Sequence, residues 1–523
     1  MRPFLPAPRV AARAVFRLAP VALACSLGLQ SGAARAQDTL PLASDPHVGS
    51  VPERSLDARV RIGAEHVRLP VGQGIGLVGL TELLNVGGQW WVGPGVYGAA
   101  TGRRGGLFVP GIEGAWSHPI NNWLAVDAGL FAGGGGGAAA PVGGGLMLRP
   151  HLDLVLRART FYTGPTLSTV WFPSGKISST QLGWMLNVNS SFRYRPADYA
   201  DAGTDGSATG LGFDHVDAMA TVARPRRSLT TSGAPLSRQI GLVGLRAEHT
   251  IDGPLWAGIE TAGAASGGVA GYAEVLGTAG LRWPVLGDRL SAGVRASIGL
   301  GGGGGIDTGG GVLVKTAVGA TLRLTDTLGV GAELGLVDAP QSRYRATTGA
   351  LSLNWALDVP RHDLGGWAPA RIGSPTRMEF AAGAERYRAA RKDGHTQALE
   401  AVVLQINRFV APNVYLTGQA HSAFGGGAGA YSVGLFGLGA QVPLGTRLRL
   451  GAEALAGAAG GGGVDTKGGA VLQGRAYADV ALTDSLSLRV GAGRIKSVHG
   501  GLDAPVVDAA LVFSFGVDRA NRR

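Results

Sequence analysis

The chain has 523 residues but a single cysteine, Cys25, and no uncharged apolar run of about 18 residues beyond its N-terminus. One cysteine excludes a disulfide framework. The missing apolar run excludes a helical membrane span. Charged residues make up only 16% of the chain, which is low for a protein whose whole surface faces water. Something other than disulfides or membrane helices must hold this chain together.

Glycine, by contrast, is abundant: 89 residues are glycine, and they lack the three-residue period of collagen. The mean hydropathy is +0.16, so the chain is mildly apolar without any long apolar block. This combination is typical of membrane β-barrels, in which lipid-facing residues alternate with residues that face the lumen.

The first 36 residues are predicted to be a secretory signal peptide. Arginines give a positive start, LAPVALACSLGL at 18–29 gives a short apolar core, and Ala34-Arg35-Ala36 gives a cleavage site. The mature chain then begins at Gln37 and contains no cysteine. Removal of five arginines leaves 42 basic and 36 acidic residues, a net charge of +6. The basic residues are scattered, so no nucleic-acid partner is expected.

The rest of the chain consists of three copies of one unit. A glycine-rich stretch recurs as FAGGGGGAAAPVGGGLML (131–148), IGLGGGGGIDTGGGVLVK (298–315) and AGAAGGGGVDTKGGAVLQ (456–473). Turn motifs such as WPVLGDRL (283–290) precede it, and LTDTLGV (324–330) or LTDSLSL (482–488) follows it. Repeats spaced about 160 residues apart indicate duplicated structural units.

Each copy divides into about eight short segments that alternate apolar and polar residues, the pattern of strands with one apolar face. In TLGVGAELGL, for example, Leu328, Val330 and Leu334 oppose Gly329 and Glu333. A soluble sandwich would bury the apolar face inside. A membrane location is favoured because the apolar faces run for nine or more residues, enough to cross a tilted span. Charges in mid-strand on the other face suit a lumen.

Aromatic residues lie mostly near strand ends, where interfacial girdles sit, at Trp90, Trp91, Trp123, Trp171, Trp283, Trp355 and Phe515. The chain therefore resembles the bacterial outer-membrane β-barrels as a class. LTDTL and LTDSL are similar to their short periplasmic turns, and ALVFSFGV is similar to their terminal strand, although DRANRR follows it. The resemblance implies the outer membrane of a Gram-negative bacterium, with membrane lipid, lipopolysaccharide and the barrel-assembly machinery as partners.

The fold class is thus all-β, an antiparallel up-and-down transmembrane β-barrel built from three repeats of about eight strands. The expected organisation is a signal peptide (1–36), a periplasmic linker (37–56), repeat 1 (57–197), a linker (198–212), repeat 2 (213–360), a linker (361–375), repeat 3 (376–518) and a tail (519–523).

Two architectures fit three repeats of eight strands. Eight strands suffice for a small closed barrel, and the long connectors between repeats favour three such barrels. The many inward glycines, among them Gly331, Gly451 and Gly493, leave a small interior without bulk. That argument favours one wide barrel of about 24 strands, with three tandem eight-stranded barrels as the alternative.

The glycine-rich stretches are predicted to be hairpin loops at the outer side, where the three sets can meet. A phosphate-binding loop needs Lys-Ser or Lys-Thr leading into a helix, and neither follows here. The outer-loop glycines singled out are Gly133, Gly137, Gly301, Gly305, Gly460 and Gly463. Asp307 and Asp465, in the shared Asp-Thr of two loops, are weak candidates for binding a cation; otherwise no metal site and no cofactor is expected.

Eight charges are predicted to face the lumen, where they would set selectivity: Arg295, Lys315, Glu333, Arg447, Arg449, Glu453, Arg475 and Asp479. No catalytic residue is predicted. His421-Ser422 is similar to the His-Ser pair of lipid A deacylases, but the following AFGGGAG does not support that role. The favoured function is a pore or export channel for solutes or a polymer such as a polysaccharide. The alternative is a structural or surface-binding protein with closed barrels.

Overall fold

The computed structural model describes residues 54–157, 161–196, 213–287, 289–357 and 376–517. The predicted signal peptide, both predicted linkers, most of the periplasmic segment and the tail lie outside these residues. Within them the chain is almost entirely antiparallel strand, and no helix is long and apolar enough to cross a membrane.

The first repeat forms a closed ring of eight strands, barrel 1. Its strands are β1 (Arg54–Arg68), β2 (Gly74–Gly87), β3 (Trp90–Thr101), β4 (Phe108–Pro119), β5 (Leu124–Gly134), β6 (Leu146–Arg157), β7 (Phe161–Trp171) and β8 (Ser178–Pro196), with a 3₁₀ turn at Pro70–Gly72. Each strand pairs with the next, and β1 pairs with β8 from Arg54 opposite Tyr194 to Glu65 opposite Gly183. That last pairing leaves the sheet without a free edge.

The second repeat forms barrel 2 in the same way. Its strands are β9 (His215–Pro225), β12 (Ile240–Asp252), β13 (Leu255–Ala264), β14 (Ala273–Leu286), β15 (Leu290–Gly302), β16 (Val312–Arg323), β17 (Leu328–Asp338) and β18 (Arg345–Ala356). The short pair β10 (Ser228–Leu229) and β11 (Pro235–Leu236) forms a side hairpin between β9 and β12. Barrel 2 closes where β18 pairs with β9, from Ala346 opposite Pro225 to Ala356 opposite His215.

The third repeat forms barrel 3. Its strands are β19 (Thr376–Ala390), β20 (Thr396–Ala411), β21 (Val414–Ala423), β22 (Ser432–Pro443), β23 (Leu448–Gly460), β24 (Ala470–Ala481), β25 (Leu486–Ser497) and β26 (Asp503–Val517). It closes where β19 pairs with β26, from Thr376 opposite Val517 to Tyr387 opposite Val506.

The favoured expectation of one barrel of about 24 strands is therefore wrong for the described residues. Each repeat closes on itself, and barrels 1 and 3 are joined by sheet pairing only where Phe515 lies opposite Pro196 and Gly516 opposite Arg195. Three tandem eight-stranded barrels, the alternative, is the arrangement that the strand pairing shows.

The inward glycines do not leave the barrel interiors empty, because side chains of adjacent strands cover them. A Cβ on Gly451 would lie 2.2 Å from the ring of Tyr477, and one on Gly493 would lie 2.6 Å from the Cβ of Arg475. In the same way, a Cβ on Gly331 would lie 2.5 Å from the hydroxyl of Ser352. The missing side chains make room for bulky neighbours, so an interior lined with glycine is still packed.

The apolar faces of the strands point away from the barrels. Leu182 is 74% exposed, Leu334 70% and Leu351 68%, and polar or charged residues alternate with them on the inner side. A protein with so many exposed large apolar side chains would aggregate in water. The same side chains match a surface that faces hydrocarbon. This orientation is opposite to that of a soluble sandwich.

Most of the predicted girdle aromatics lie at strand ends and are partly exposed, such as Trp90, Trp123 and Trp171. Phe515 is an exception. It is buried in a cluster with Phe192, Tyr194 and Phe513, at the seam where β8 and β26 meet. Phe515 therefore joins two barrels, which corrects its assignment to an interfacial girdle.

Candidate functional site

The interior of barrel 1 is filled by buried ion pairs. Arg61 from β1 reaches Glu113 on β4 at 2.9 Å and also contacts Asp153 on β6. Arg149 on β6 binds Glu65 on β1 at 2.7 Å. All these side chains are at most 3% exposed. The pairs cross the barrel between strands that are not neighbours, so they occupy the space that a channel would need.

Barrel 2 has an equivalent network in which two acids are shared by three cations. Glu260 on β13 contacts Lys315 at 2.5 Å and Arg295 at 2.7 Å. Glu333 on β17 binds Arg295 at 2.9 Å and Arg246 at 2.8 Å. Because each acid bridges two cations from different strands, the network crosses the whole section of the barrel.

Barrel 3 also carries a network of buried ion pairs. Arg475 on β24 binds Glu453 on β23 at 2.7 Å and Asp508 on β26 at 2.9 Å. One layer closer to the end at which the chain enters and leaves the barrel, Arg489 on β25 binds Asp479 on β24 at 2.7 Å. Tyrosine, glutamine and asparagine side chains fill the gaps, namely Tyr415, Tyr477, Gln405, Gln419, Gln441 and Asn407.

Of the eight charges predicted to face a lumen, six lie inside barrels 2 and 3 and are ion-paired: Arg295, Lys315, Glu333, Glu453, Arg475 and Asp479. Arg449 lies at the end of barrel 3, where it donates to Ser487 at 3.2 Å. Arg447 is exposed in the turn between β22 and β23, which corrects its placement in the lumen. Alternation assigned Arg447 to the inner face together with Arg449, but the strand begins one residue later, at Leu448.

Sequence reasoning missed the charges of barrel 1 altogether, although ARVRIGAEH in β1 shows the same alternation. Their partners lie on distant strands, at sequence separations of 52 for Arg61 with Glu113 and 84 for Arg149 with Glu65. Ring closure brings these residues together, and the sequence pattern does not specify which pairs form.

The glycine-rich stretches all lie at one end of the molecule, called here the loop end; the LTD turns lie at the other, the turn end. The glycine-rich stretches form the 5–6 loops, which join the fifth and sixth strands of each barrel: 135–145, 303–311 and 461–469. Gly137, Gly305 and Gly463 lie in these loops with positive φ angles, while Gly133, Gly301 and Gly460 lie in the strands just before them.

A second set of loops, which the sequence reasoning did not single out, meets the first. These 3–4 loops join the third and fourth strands: 102–107, 265–272 and 424–431. In barrel 1 the Gly105 amide donates to the Gly309 carbonyl of barrel 2 at 2.9 Å. In barrel 3 the Gly429 amide donates to the Gly143 carbonyl of barrel 1 at 3.1 Å.

The contact between barrels 2 and 3 follows the same rule. A Cβ on Gly460 would lie 2.1 Å from the amide nitrogen of Gly271, and one on Gly469 would lie 1.9 Å from the carbonyl oxygen of Ala264. The 3–4 loop of each barrel therefore packs on the 5–6 loop of another, from 1 to 2, 2 to 3 and 3 to 1. This head-to-tail pattern closes into a ring with threefold pseudosymmetry, called here the loop ring.

Glycine is required in the loop ring for two physical reasons. Gly106 has φ +93° and Gly271 has φ +92°, values that other residues rarely adopt. A Cβ on Gly106 would also lie 2.2 Å from the amide nitrogen of Gly303 in the neighbouring barrel. The conspicuous glycine runs thus let backbones of different barrels touch directly.

A cavity of about 1800 Å³ lies between the three barrels. Its wall is formed by outward-facing apolar residues of all three, including Val96, Leu245, Val275, Leu404, Ile406 and Phe436. The aromatic seam of Phe192, Phe513 and Phe515 lines it towards the turn end. The lining of this central cavity also includes Gln405, Gln419 and His421, whose side chains form hydrogen bonds inside barrel 3.

The charges on the wall of the central cavity are unevenly distributed. At the loop end the lining includes the exposed cations Arg103, Lys392 and Lys467. Towards the turn end it includes Glu82, which β2 places opposite Val60. Glu274, which pairs with Lys315, also belongs to the lining. The cavity therefore has exposed cations at its mouth, a mostly apolar wall and the Glu82 carboxylate towards the turn end.

The two weak cation candidates accept hydrogen bonds from backbone amides of the loops. The Asp307 carboxylate accepts the Gly309 amide at 3.0 Å, and the Asp465 carboxylate accepts the Gly501 amide at 2.9 Å. Within the described residues, no group of three or more His, Cys, Asp and Glu side chains is placed to hold a metal ion.

His421 and Ser422 point away from each other, as neighbours on a strand do. His421 lies inside barrel 3, with its two ring nitrogens 2.8 Å from Glu385 and 3.0 Å from Gln419. The Ser422 hydroxyl bonds Ser432 at 2.7 Å. The hydrogen bond from serine to histidine that would activate a nucleophile is not formed by this pair.

No protein-family model and no curated protein matches the chain. Several solved structures of membrane β-barrels align with it at low similarity. The ferric enterobactin receptor of Pseudomonas aeruginosa, as a mutant, is 10% identical over 88% of this chain and 80% of its own, with a TM-score of 0.26. The NanC porin is 8% identical over 58% and 100%, with a TM-score of 0.15. A de novo designed transmembrane β-barrel is 14% identical over 27% and 94%, with a TM-score of 0.19.

Proposed function

We propose that this chain is an outer-membrane protein of a Gram-negative bacterium, with three barrels that are closed to solutes and a structural or ligand-binding role. The carrying observation is that charged side chains paired across each barrel fill all three interiors. A water-filled pore needs mobile water along its axis and charges lining its wall. Here Arg61, Arg246 and Arg489 bind acids on other strands instead.

The proposal places the functional surface outside the barrels, at the loop ring and the central cavity. The loop ring holds the three units together, and the cavity is the large space that this assembly creates. The aromatic terminal strand β26 supports a further part of the proposal, that the barrel-assembly machinery inserts the chain. No catalytic step is part of this proposal.

A second candidate is a conduit along the central cavity, because the cavity extends from the loop ring to the aromatic seam between barrels 1 and 3. This candidate retains the expectation of an outer-membrane channel, with the path lying between the barrels. Its apolar wall makes transport of ions or a hydrated polysaccharide unfavourable.

Single-channel conductance of the purified mature protein in a planar bilayer tests the proposal. Folding is first confirmed by the heat-dependent shift in gel mobility that is typical of such barrels. We expect no stable openings of nanosiemens order, since none of the barrels offers a water-filled path. Stable large openings would show a water-filled path, either through a barrel or along the central cavity.

A variant that fills the cavity identifies the path if openings are seen. Gly434 lies on the cavity wall, and a Cβ there meets no atom within 4 Å. If Gly434→Trp abolishes the openings, the conduit is the central cavity. If Gly434→Trp leaves them unchanged, the path runs through a barrel and the proposed function is wrong.

A further inference from the structure

We infer that the central cavity is a binding site for one phosphorylated glycolipid of the outer leaflet, with its acyl chains in the cavity and its phosphates at the loop ring. This inference rests on the proposed function, because a lipid that fills the cavity requires that the cavity is not a conduit. It adds an occupant and an orientation to that proposal.

The size of the cavity indicates a ligand with several acyl chains. Pockets that hold drug-sized ligands have volumes of about 300–1,000 Å³, and the cavity of about 1800 Å³ is well above that range. A void of this size is not compatible with the density of a packed protein, and its apolar wall holds water poorly. Hydrocarbon chains fill such a space favourably, since they match the wall in polarity.

The mouth supplies charge complementarity for an anionic head group. Arg103 comes from the 3–4 loop of barrel 1, Lys467 from the 5–6 loop of barrel 3, and Lys392 from the hairpin between β19 and β20. All three are exposed and line the cavity. Cations placed in this way bind phosphate groups through charge-assisted hydrogen bonds.

Two neighbouring charges in the mouth are already engaged within the protein. The Arg104 guanidinium donates to the Ala138 carbonyl at 2.8 Å and to Gln73 at 3.0 Å. The Asp465 carboxylate accepts the Gly501 amide. The three exposed cations Arg103, Lys392 and Lys467 are therefore the charges in the mouth that we assign to a ligand.

The position of Glu82 orients the ligand. Its carboxylate lies towards the turn end, where it would repel a phosphate, and the three cations lie at the loop end. A lipid with its head group at the loop end thus places its phosphates next to the three cations and away from Glu82. Its acyl chains then lie against Leu245, Ile406 and Phe436. The short LTD turns lie at the opposite end, which is the periplasmic side in outer-membrane barrels. The loop end therefore faces the outer leaflet.

Native mass spectrometry of the detergent-purified full chain tests the inference. The probe is bisphosphorylated lipid A, detected first as a co-purified species and then re-added after delipidation. We expect one bound glycolipid per chain. A bound phospholipid without glycolipid would refute the assignment to the outer-leaflet lipid, and absence of any bound lipid after re-addition would refute the site.

Gly434→Trp and Gly474→Trp form a matched pair. Both glycines are outward-facing in barrel 3, and a Cβ at either meets no atom within 4 Å, but only Gly434 lines the cavity. We expect Gly434→Trp to lose the bound glycolipid and Gly474→Trp to retain it. Equal retention by the two variants would show lipid on the outer barrel surface and would overturn the inference.

The charge variant gives a second readout that does not depend on cavity packing. Arg103→Ala, Lys392→Ala and Lys467→Ala are combined, and Arg494→Ala, on an exposed outward face of β25, is the control. We expect retention of lipid A to fall in the triple variant and to become more sensitive to salt. Unchanged retention would refute the phosphate contacts.

The two proposals fail in different ways. Closed barrels without bound lipid would reject this inference alone, whereas ion conduction through a barrel would reject the proposed function.

Discussion

Replacing Arg489 by methionine tests whether the buried ion pairs hold a barrel closed. The Arg489 guanidinium is fully buried and binds Asp479 at 2.7 and 2.8 Å and Glu379 at 2.9 Å. It also stacks over the ring of Tyr477 at 4.0 Å. Methionine fills much of the volume but removes every one of these polar contacts.

The expected loss of stability in Arg489→Met depends on which carboxylate is left without a cation. Glu379 keeps Arg377 at 2.8 Å and Asn407 at 3.0 Å. For Asp479, Arg489 is the one ion-pair partner found within the described residues. Removing one member of a buried pair costs about 3–5 kcal/mol, because the remaining charge stays buried without a partner. We expect the free energy of unfolding of barrel 3 to fall by about that amount.

Hydrogen–deuterium exchange across a urea series measures this loss, read on peptides from β24 to β26. Residues 376–517 contain no tryptophan, so tryptophan fluorescence reports only the rest of the chain and serves as an internal reference. Arg494→Met on the same strand is the matched control, since Arg494 is exposed and pairs with the exposed Asp503. It should leave exchange unchanged.

A double variant separates the lost ion pair from lost packing. Arg489→Met with Asp479→Leu removes both charges together, and such replacements are often neutral or stabilising. We expect most of the lost stability to return. If the single variant costs less than about 1 kcal/mol, or if the double variant is worse than the sum of its parts, the ion pairs do not stabilise the interior as argued.

Two further predictions concern glycine. Gly106→Ala should weaken the contact between barrels 1 and 2 and raise hydrogen–deuterium exchange in both loops, because its Cβ would meet Gly303. The control is Gly394→Ala, where φ is +86° and a Cβ meets no atom within 4 Å. It should show only the backbone strain of about 1 kcal/mol. Gly451→Ala should destabilise barrel 3 by about 1–3 kcal/mol in urea unfolding, since its Cβ would overlap the ring of Tyr477; an effect no larger than that of Gly474→Ala would contradict the packed interior.

Repeat count, strand identity and the direction of the two faces could be predicted from the sequence because each is a local pattern. Alternation in TLGVGAELGL assigns Leu334 outward and Glu333 inward, and the strand β17 has that arrangement. The position of the glycine stretches between fifth and sixth strands follows from counting segments.

The number of barrels could not be predicted in this way because it depends on a pairing between distant strands. Whether β8 pairs with β1 or with the start of the next repeat changes no local pattern. The glycines at 451 and 493 pointed to the wrong answer because their space is filled by Tyr477 and Arg475 from the neighbouring strand, and a cross-strand contact leaves no trace in the periodicity of either strand.

The central cavity was missed for a similar reason. Its wall consists of outward apolar residues, which have the same pattern as residues that face bulk lipid. Leu245 and Leu334 are indistinguishable in sequence, yet one lines the cavity and the other is 70% exposed on the outer surface.

The continuity of the chain changes how the loop ring assembles. Three separate copies would have to find one another in the membrane, so that the amount of complete ring would depend on protein concentration. Here the third contact, between Gly429 and Gly143, forms within one molecule whose parts are held at high effective concentration. Each third of the ring is also free to acquire its own side chains, as the cations contributed by barrels 1 and 3 illustrate. A threefold frame can in this way surround a site that binds a single, asymmetric molecule.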